Sequence, residues 1–274
     1  MNTAQAPKIV PSGALPHPWS ALDGLLTTRA LGRHAAYTPE TGSTNRDALA
    51  LAPDAPTGTA VLTDHQTAGR GRMGRAWTAS VGENLLVSLV LRPALAPEHR
   101  ARVTLAAATA LADALPLVDA RLAARLKWPN DVRVGGGKVA GILAEASGSV
   151  VVLGVGVNVN QAAFPVDLAG TATSLAREAG RAFDRVAVFA AFLNALEPLL
   201  ALAETDPAAL LDRYRAHLSG VGERVTLYTA PGAAPLTGTF TGVTDEGALR
   251  LRTDDGAERT FHAGDVTTHA PDAP

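Results

Sequence analysis

Between residues 41 and 218 the apolar positions recur first at every second place and then at helical spacing, over and over, which predicts interleaved strands and helices. In chain order the pattern predicts a short helix from about residue 45, a strand at 59–63, a glycine-arginine loop, a strand at 85–91 and a long helix at 97–115. Short strands follow at 125–128 and 132–134. Two β-rich runs at 139–146 and 150–158 are joined by Ser147-Gly148-Ser149 and read as an antiparallel hairpin. Helices are expected at 173–178, 185–203 and 207–218, and the middle one is apolar nearly all round, so it should pack on a sheet. The whole implies a mixed sheet with helices on one face.

From Ser219-Gly220 onward the pattern changes to short strands at 224–228, 236–243, 248–253 and 258–262, punctuated by Pro231-Gly232, Glu246-Gly247 and Asp255-Gly256. Strands that short with turns that close predict a small β-barrel. Residues 1–33 are rich in Ala, Pro and Gly with one apolar patch at 22–26, so residues 1–40 read as an N-terminal leader. The expected division is therefore 1–40 leader, 41–218 main domain and 219–274 barrel, an α+β chain.

Composition narrows the chemistry. A formal charge of -2 argues against a protein that coats nucleic acid, because backbone binding needs a surplus of Lys and Arg. With no cysteine there is no disulfide, no Cys-ligated zinc and no thioester mechanism. No basic segment precedes an apolar run at the N-terminus, and the most apolar long stretch, 186–203, is interrupted by Asn194, Glu197 and Pro198. A soluble, cytoplasmic chain is expected, with no membrane partner.

Four segments carry candidate chemistry. In the run from Gln66 to Trp77, three glycines alternate with Arg70, Arg72 and Arg75 just after a strand. Glycines let backbone N–H groups approach an anion, and guanidinium groups bind phosphate oxygens in pairs. A mobile surface loop or an RNA-binding tract would look similar. The Gly-Lys-Ser/Thr ending of a P-loop is missing. Lys127-Trp128-Pro129-Asn130-Asp131, then a glycine turn and Lys138-Val139-Ala140-Gly141, puts a cation and a carboxylate near one another at a sheet edge. Lys138 would otherwise be solvated and Trp128 simply core. The strand from Gly154 to Asn158 has glycines that permit close approach of a ligand, or is only a packed strand. Thr41-Gly42-Ser43-Thr44-Asn45 reads as a helix N-cap, with Thr44 and Asp47 spaced as a capping-box variant.

Taken in this order, the segments resemble the biotin–protein ligase family across about residues 40–218, and that family also ends in a small SH3-like domain. The resemblance implies the mixed-sheet catalytic domain of the biotin/lipoate ligase type, similar to class II synthetases. It implies that Ser43, Thr44, Asn45 and Gln66 line a biotin pocket, with Gly141 beside it. Arg70, Gly71 and Arg72 would fold over biotin and the adenylate, with Trp77 near the adenine. Lys138 would stand between the biotin carboxylate and the α-phosphate, and Asn130 and Asn158 would contact the nucleotide. Met73 departs from the charged residue that many relatives carry, at a variable place in the loop. The stretch before Thr41 is too short for the DNA-binding domain found in some relatives, so no DNA binding is expected.

The reaction so implied joins biotin to ATP as biotinoyl-5′-adenylate, with Mg²⁺, and then transfers the biotinyl group to a lysine of a biotin carboxyl carrier protein. Lys138, Arg70 and Arg72 would offset the crowding of negative charge. Asp131 is expected to partner the incoming amine. A homodimer through a sheet edge is implied by the resemblance alone. Competing readings are a lipoate–protein ligase, a biotin-responsive regulator and an RNA-binding module.

Overall fold

The computed structural model describes residues 7–230 and 232–268. The first six residues of the expected leader, Pro231 of an expected turn and residues 269–274 of the expected barrel unit lie outside the described residues.

The main sheet contains β1 (Val10–Pro11), β2 (His34–Thr41), β3 (Thr59–Gln66), β4 (Leu85–Leu91), β5 (Ala124–Lys127), β6 (Asp131–Val134), β7 (Gly137–Ser147) and β8 (Val150–Val157). These are bonded in the order β1-β2-β3-β4-β8-β7-β6-β5. Strands β2 and β3 run parallel and the other pairs antiparallel, so the sheet is mixed as expected. Gly135 and Gly136, both at positive φ, turn β6 into β7, which is the geometry a two-residue hairpin requires.

Helices cover both faces, not one. Alternate residues such as Leu62, Leu89 and Leu153 join a large core with α1 (Leu22–Leu25), α3 (Ala101–Val118), α4 (Leu175–Ala179), α5 (Arg185–Thr205) and α6 (Pro207–His217). Their neighbours Val61, Val90 and Val152 point the other way and pack under Ala48 of α2 (Thr44–Leu51) and Ala52 just beyond its end. A central strand buried on both faces carries no polar alternation, so the second layer leaves no periodic trace in the sequence. The segments 97–118 and 185–205 are long and apolar enough to cross a membrane, yet α3 and α5 here pack on each other over the sheet.

The stretch expected to be a leader is, over its described part, built into the same domain. Trp19, Leu22 and Leu26 are buried in the large core, and β2 pairs along β3. Polar residues of α5 hold this segment. Asn194 accepts from the Thr27 N–H at 2.8 Å, and Glu197 accepts from the N–H groups of Arg29, Ala30 and Leu31. Burial raises the Glu197 carboxyl, but the three N–H groups outweigh it and leave the group below the usual carboxylate range. Two of the interruptions in the apolar run of α5, Asn194 and Glu197, are thus docking points.

The C-terminal unit is a five-stranded antiparallel sheet, order β12-β11-β10-β9-β13, made of β9 (Arg224–Tyr228), β10 (Leu236–Val243), β11 (Leu249–Thr253), β12 (Glu258–Phe261) and β13 (Asp265–Thr268). Val225, Leu227, Phe240, Leu249, Leu251 and Val266 are its apolar interior. Strand β13 was not apparent from the sequence, since Asp265-Val266-Thr267-Thr268 has a single apolar residue. Trp128, 2% exposed, donates from Nε1 to the Gly247 carbonyl at 2.9 Å and so ties the two units together.

Tyr214 of α6 is fully buried and its hydroxyl has no hydrogen-bond partner among the described residues. Burial, with Asp131 nearby, pushes the phenol above its ordinary pKa. An unsatisfied buried hydroxyl costs about 1–3 kcal/mol, so Tyr214→Phe should hold or raise stability by about 1 kcal/mol. Denaturant unfolding reads this, and a loss of stability would contradict it.

Candidate active site

A cavity of about 480 Å³ opens on the sheet face that carries α2. Its floor exists because β7 and β8 carry glycines there. A Cβ on Gly156 would stand 2.5 Å from the Trp77 ring and one on Gly141 2.8 Å from it, while one on Gly154 would collide with Asn45 Oδ1. The missing side chains let the indole and the α2 residues lie flat on the sheet. All the residues named from the resemblance, Ser43, Thr44, Asn45, Gln66, Arg70, Gly71, Arg72, Trp77, Asn130, Asp131, Lys138, Gly141 and Asn158, line this one cavity.

The N-terminus of α2 enters it. Ser43 is the N-cap but makes no side-chain cap bond. The Thr44 N–H instead donates to Gln66 Oε1 at 2.8 Å. The capping-box reading is therefore wrong: the Asp47 carboxylate accepts from the Thr41 hydroxyl at 2.5 Å, and a residue from the neighbouring strand end does the capping. Beneath, the fully buried Ser88 hydroxyl donates to Asn45 Oδ1 at 2.6 Å and lies 2.7 Å from the Thr44 hydroxyl. Asn45 Nδ2 donates to Glu145 at 2.6 Å. This network presents Ser43, Thr44 and Asn45 as a preset polar wall.

The glycine-arginine loop folds on itself. The Trp77 N–H donates to the Gly69 carbonyl at 2.9 Å and the Gly71 N–H to the Arg75 carbonyl at 2.6 Å. Met73 adopts a left-handed conformation (φ 55), which a side chain tolerates only at some strain, so its place at the tip is conformationally demanding. Arg70 pairs with Glu145 at 2.9 Å. Arg72 donates to Asn130 Oδ1 and to the Gly264 carbonyl, each at 3.3 Å, and burial lowers its guanidinium from the ordinary value. Arg75 pairs with Asp265 at 2.9 Å.

Opposite the loop, Lys138 Nζ lies 2.7 Å from Asp131 Oδ1 and 5.6 Å from the Trp77 ring centroid. Asn130 is pinned by its Nδ2 bond to the Ile142 carbonyl at 2.9 Å. Asn158 donates to the Thr173 carbonyl at 3.0 Å, which holds the 163–173 segment against β7 at the cavity's edge.

Ser88, Glu145, Lys127 and the C-terminal residues Asp265 and Thr267 also belong to the site, as partners of its polar groups or as lining. Sequence reading singled out none of them as site residues. Only Lys127 had a local signal, as the first residue of the Lys-Trp-Pro-Asn-Asp segment.

Comparison with known proteins follows the same geography. Residues 37–161 match the biotin/lipoate A/B protein ligase family and residues 220–267 match the biotin protein ligase C-terminal domain. A biotin–acetyl-CoA-carboxylase ligase of Mycobacterium tuberculosis is 37% identical over 252 residues, 90% of this chain and 93% of that protein. The chain belongs to the biotin/lipoate A/B protein ligase family. The bifunctional ligase/repressor BirA of Bacillus subtilis is 35% identical to this family member over 249 residues, which is 75% of BirA. The structure of the biotin protein ligase of Aquifex aeolicus in complex with biotin and ATP superposes with a TM-score of 0.74 at 27% identity, covering 86% of this chain and 98% of the Aquifex chain.

Proposed function

We propose that the chain is an ATP-dependent biotin–protein ligase whose catalytic domain runs to residue 218 and whose acceptor is a biotin carboxyl carrier domain of acetyl-CoA carboxylase or a related carboxylase. The observation that carries this reading is that Lys138 and three loop arginines converge on one cavity with a glycine floor and a polar wall at a helix N-terminus. That arrangement suits an uncharged bicyclic ring on the floor and a carboxylate meeting a triphosphate under the cations.

In the first half-reaction a biotin carboxylate oxygen attacks the α-phosphorus of ATP, the bond to the β-phosphate oxygen breaks, and pyrophosphate leaves. Lys138 sits where those two anions meet, and Arg70 and Arg72 close over the product. In the second, an acceptor lysine nitrogen attacks the acyl carbon and AMP leaves with the bonding pair of the anhydride oxygen. Asp131 then takes the proton that the amine sheds, once Lys138 has turned from it toward the phosphate. Mg²⁺ would screen the phosphates. Among the described residues no three His, Cys, Asp or Glu side chains group as a metal cage, and Asp131, Glu145 and Asp265 already face cations, so the fit is to an ion that arrives on the ATP oxygens.

Incubation with biotin, ATP, Mg²⁺ and a carrier domain should yield AMP and an acceptor heavier by one biotinyl group. Titration calorimetry should show biotin binding and no lipoate binding, and the reverse result would move the chain to the lipoate branch of the family. Hydrogen exchange at residues 70–75 should fall sharply when biotin and ATP are added together, because the loop then closes on the adenylate. Equal protection with and without both substrates would refute closure.

A further inference from the structure

Two of the cavity's paired cations take their carboxylate from the catalytic domain, and two do not. Arg70 has Glu145 and Lys138 has Asp131, but Arg75 and Lys127 share Asp265, at 2.9 and 3.6 Å, and Asp265 opens β13 of the C-terminal unit. The preceding residue, Gly264, receives Arg72 on its carbonyl. Two successive residues of the small unit thus hold two of the three loop arginines, and both Asp265 and Thr267 line the cavity.

A carboxylate lining a cavity that must accept a triphosphate is electrostatically out of place unless it does something in the empty state. Like charges brought that close repel one another, so the nucleotide and Asp265 compete for the same cations. We propose that Asp265 is a placeholder for the phosphates of ATP. Before nucleotide binds, its carboxylate holds Arg75 and Lys127 in position and ties the loop to the C-terminal unit. When the triphosphate arrives, those two cations transfer to it and the tie is released. The small unit thereby acts as a positioning element for the nucleotide site, and Asp265 itself makes no contact with the reacting atoms.

This inference rests on the assignment of the cavity as the ATP site, and the test separates the two. Binding of Mg·ATP and, separately, of biotin is measured by calorimetry over a range of salt for the whole chain and for Asp265→Asn, Arg75→Gln and Asp265→Asn/Arg75→Gln. Asp265→Asn should tighten ATP about three- to tenfold, a range that matches release of one partly exposed ion pair. It should leave biotin affinity unchanged and steepen the dependence of ATP affinity on salt. In the Arg75→Gln background the same change should have a markedly smaller effect, a non-additivity that general loosening of the domain contact would not produce. Weaker or unchanged ATP binding in Asp265→Asn, with biotin affinity and the melting temperature intact, would overturn the placeholder. Should Asp265→Asn lower the melting temperature, Lys127→Gln/Arg75→Gln decides instead: the placeholder requires that pair to weaken ATP while keeping the C-terminal unit folded, and unchanged ATP binding overturns it. A parent chain that binds no ATP would overturn the site assignment itself.

Discussion

Replacing Lys138 by alanine should lower adenylate formation by a factor of about 10²–10³ while the protein stays folded, because one tenfold step in rate is about 1.36 kcal/mol and the loss expected is about 3–4 kcal/mol. The geometry sets the size. Lys138 Nζ is 2.7 Å from Asp131 and its side chain is 32% exposed against 15% for Asp131, so the pair is partly shielded from water. Removing the ammonium withdraws the cation that the carboxylate and the α-phosphate must share. It also leaves Asp131 uncompensated beside two incoming anions. Pyrophosphate release in a single turnover reads the effect, and the melting temperature serves as the control for folding. Adding Asp131→Asn to the alanine variant should recover part of the first half-reaction while the second stays impaired. Near-normal pyrophosphate release from Lys138→Ala would remove this residue from the reaction.

For Arg72→Gly the expected result is a leaking intermediate. The Arg72 guanidinium bridges the Asn130 side chain and the Gly264 carbonyl, so it fastens the loop both to the turn after β5 and to the C-terminal unit. Glycine at that place cuts both ties and adds backbone freedom to a loop already rich in it. Synthesis of the adenylate still has Lys138 and Arg70 to draw on, whereas retention depends on the closed loop. Labelling of an unrelated lysine-bearing protein mixed with the enzyme, biotin and ATP should rise by about tenfold or more, since a hydrogen bond to a charged group is worth about 1.5–3 kcal/mol. Pyrophosphate release should fall by less than that factor. Bystander labelling no greater than with the parent chain would take the retaining role away from Arg72.

The spacing and runs of apolar residues were enough to place β4, both strands of the β7–β8 hairpin and the long helices to within a few residues, because burial on one face writes a short-range period and burial all round an unbroken apolar run. The glycine-arginine loop and the two lysine segments were equally legible. Their chemistry lies in residue types at adjacent positions, and glycine, arginine and lysine announce a preference for anions wherever they cluster. The rest of the expected site set, Ser43 to Asn45 and Asn158 among them, was named from the family resemblance, and all of it lines one cavity.

Tertiary structure decided what depends on partners far apart in sequence. Gln66 caps α2 across 22 residues, Glu145 takes Arg70 across 75, and the Gly264 carbonyl takes Arg72 across 192. No local pattern encodes such a pairing, because either partner alone is an ordinary polar residue on a strand or loop. The same holds for β2, whose His34-to-Thr41 run ends in polar residues and a proline but becomes a sheet strand by pairing with β3. It holds as well for residues 10–33, where Trp19 packs edge-on against Phe189 of α5 and the N–H groups of Thr27, Arg29, Ala30 and Leu31 are met by its Asn194 and Glu197. Local periodicity determined most of the elements of this chain, and residue type the chemistry of its loop and lysine segments. Which face of the sheet lines the cavity, and which carboxylates pair with its cations, followed only from long-range packing.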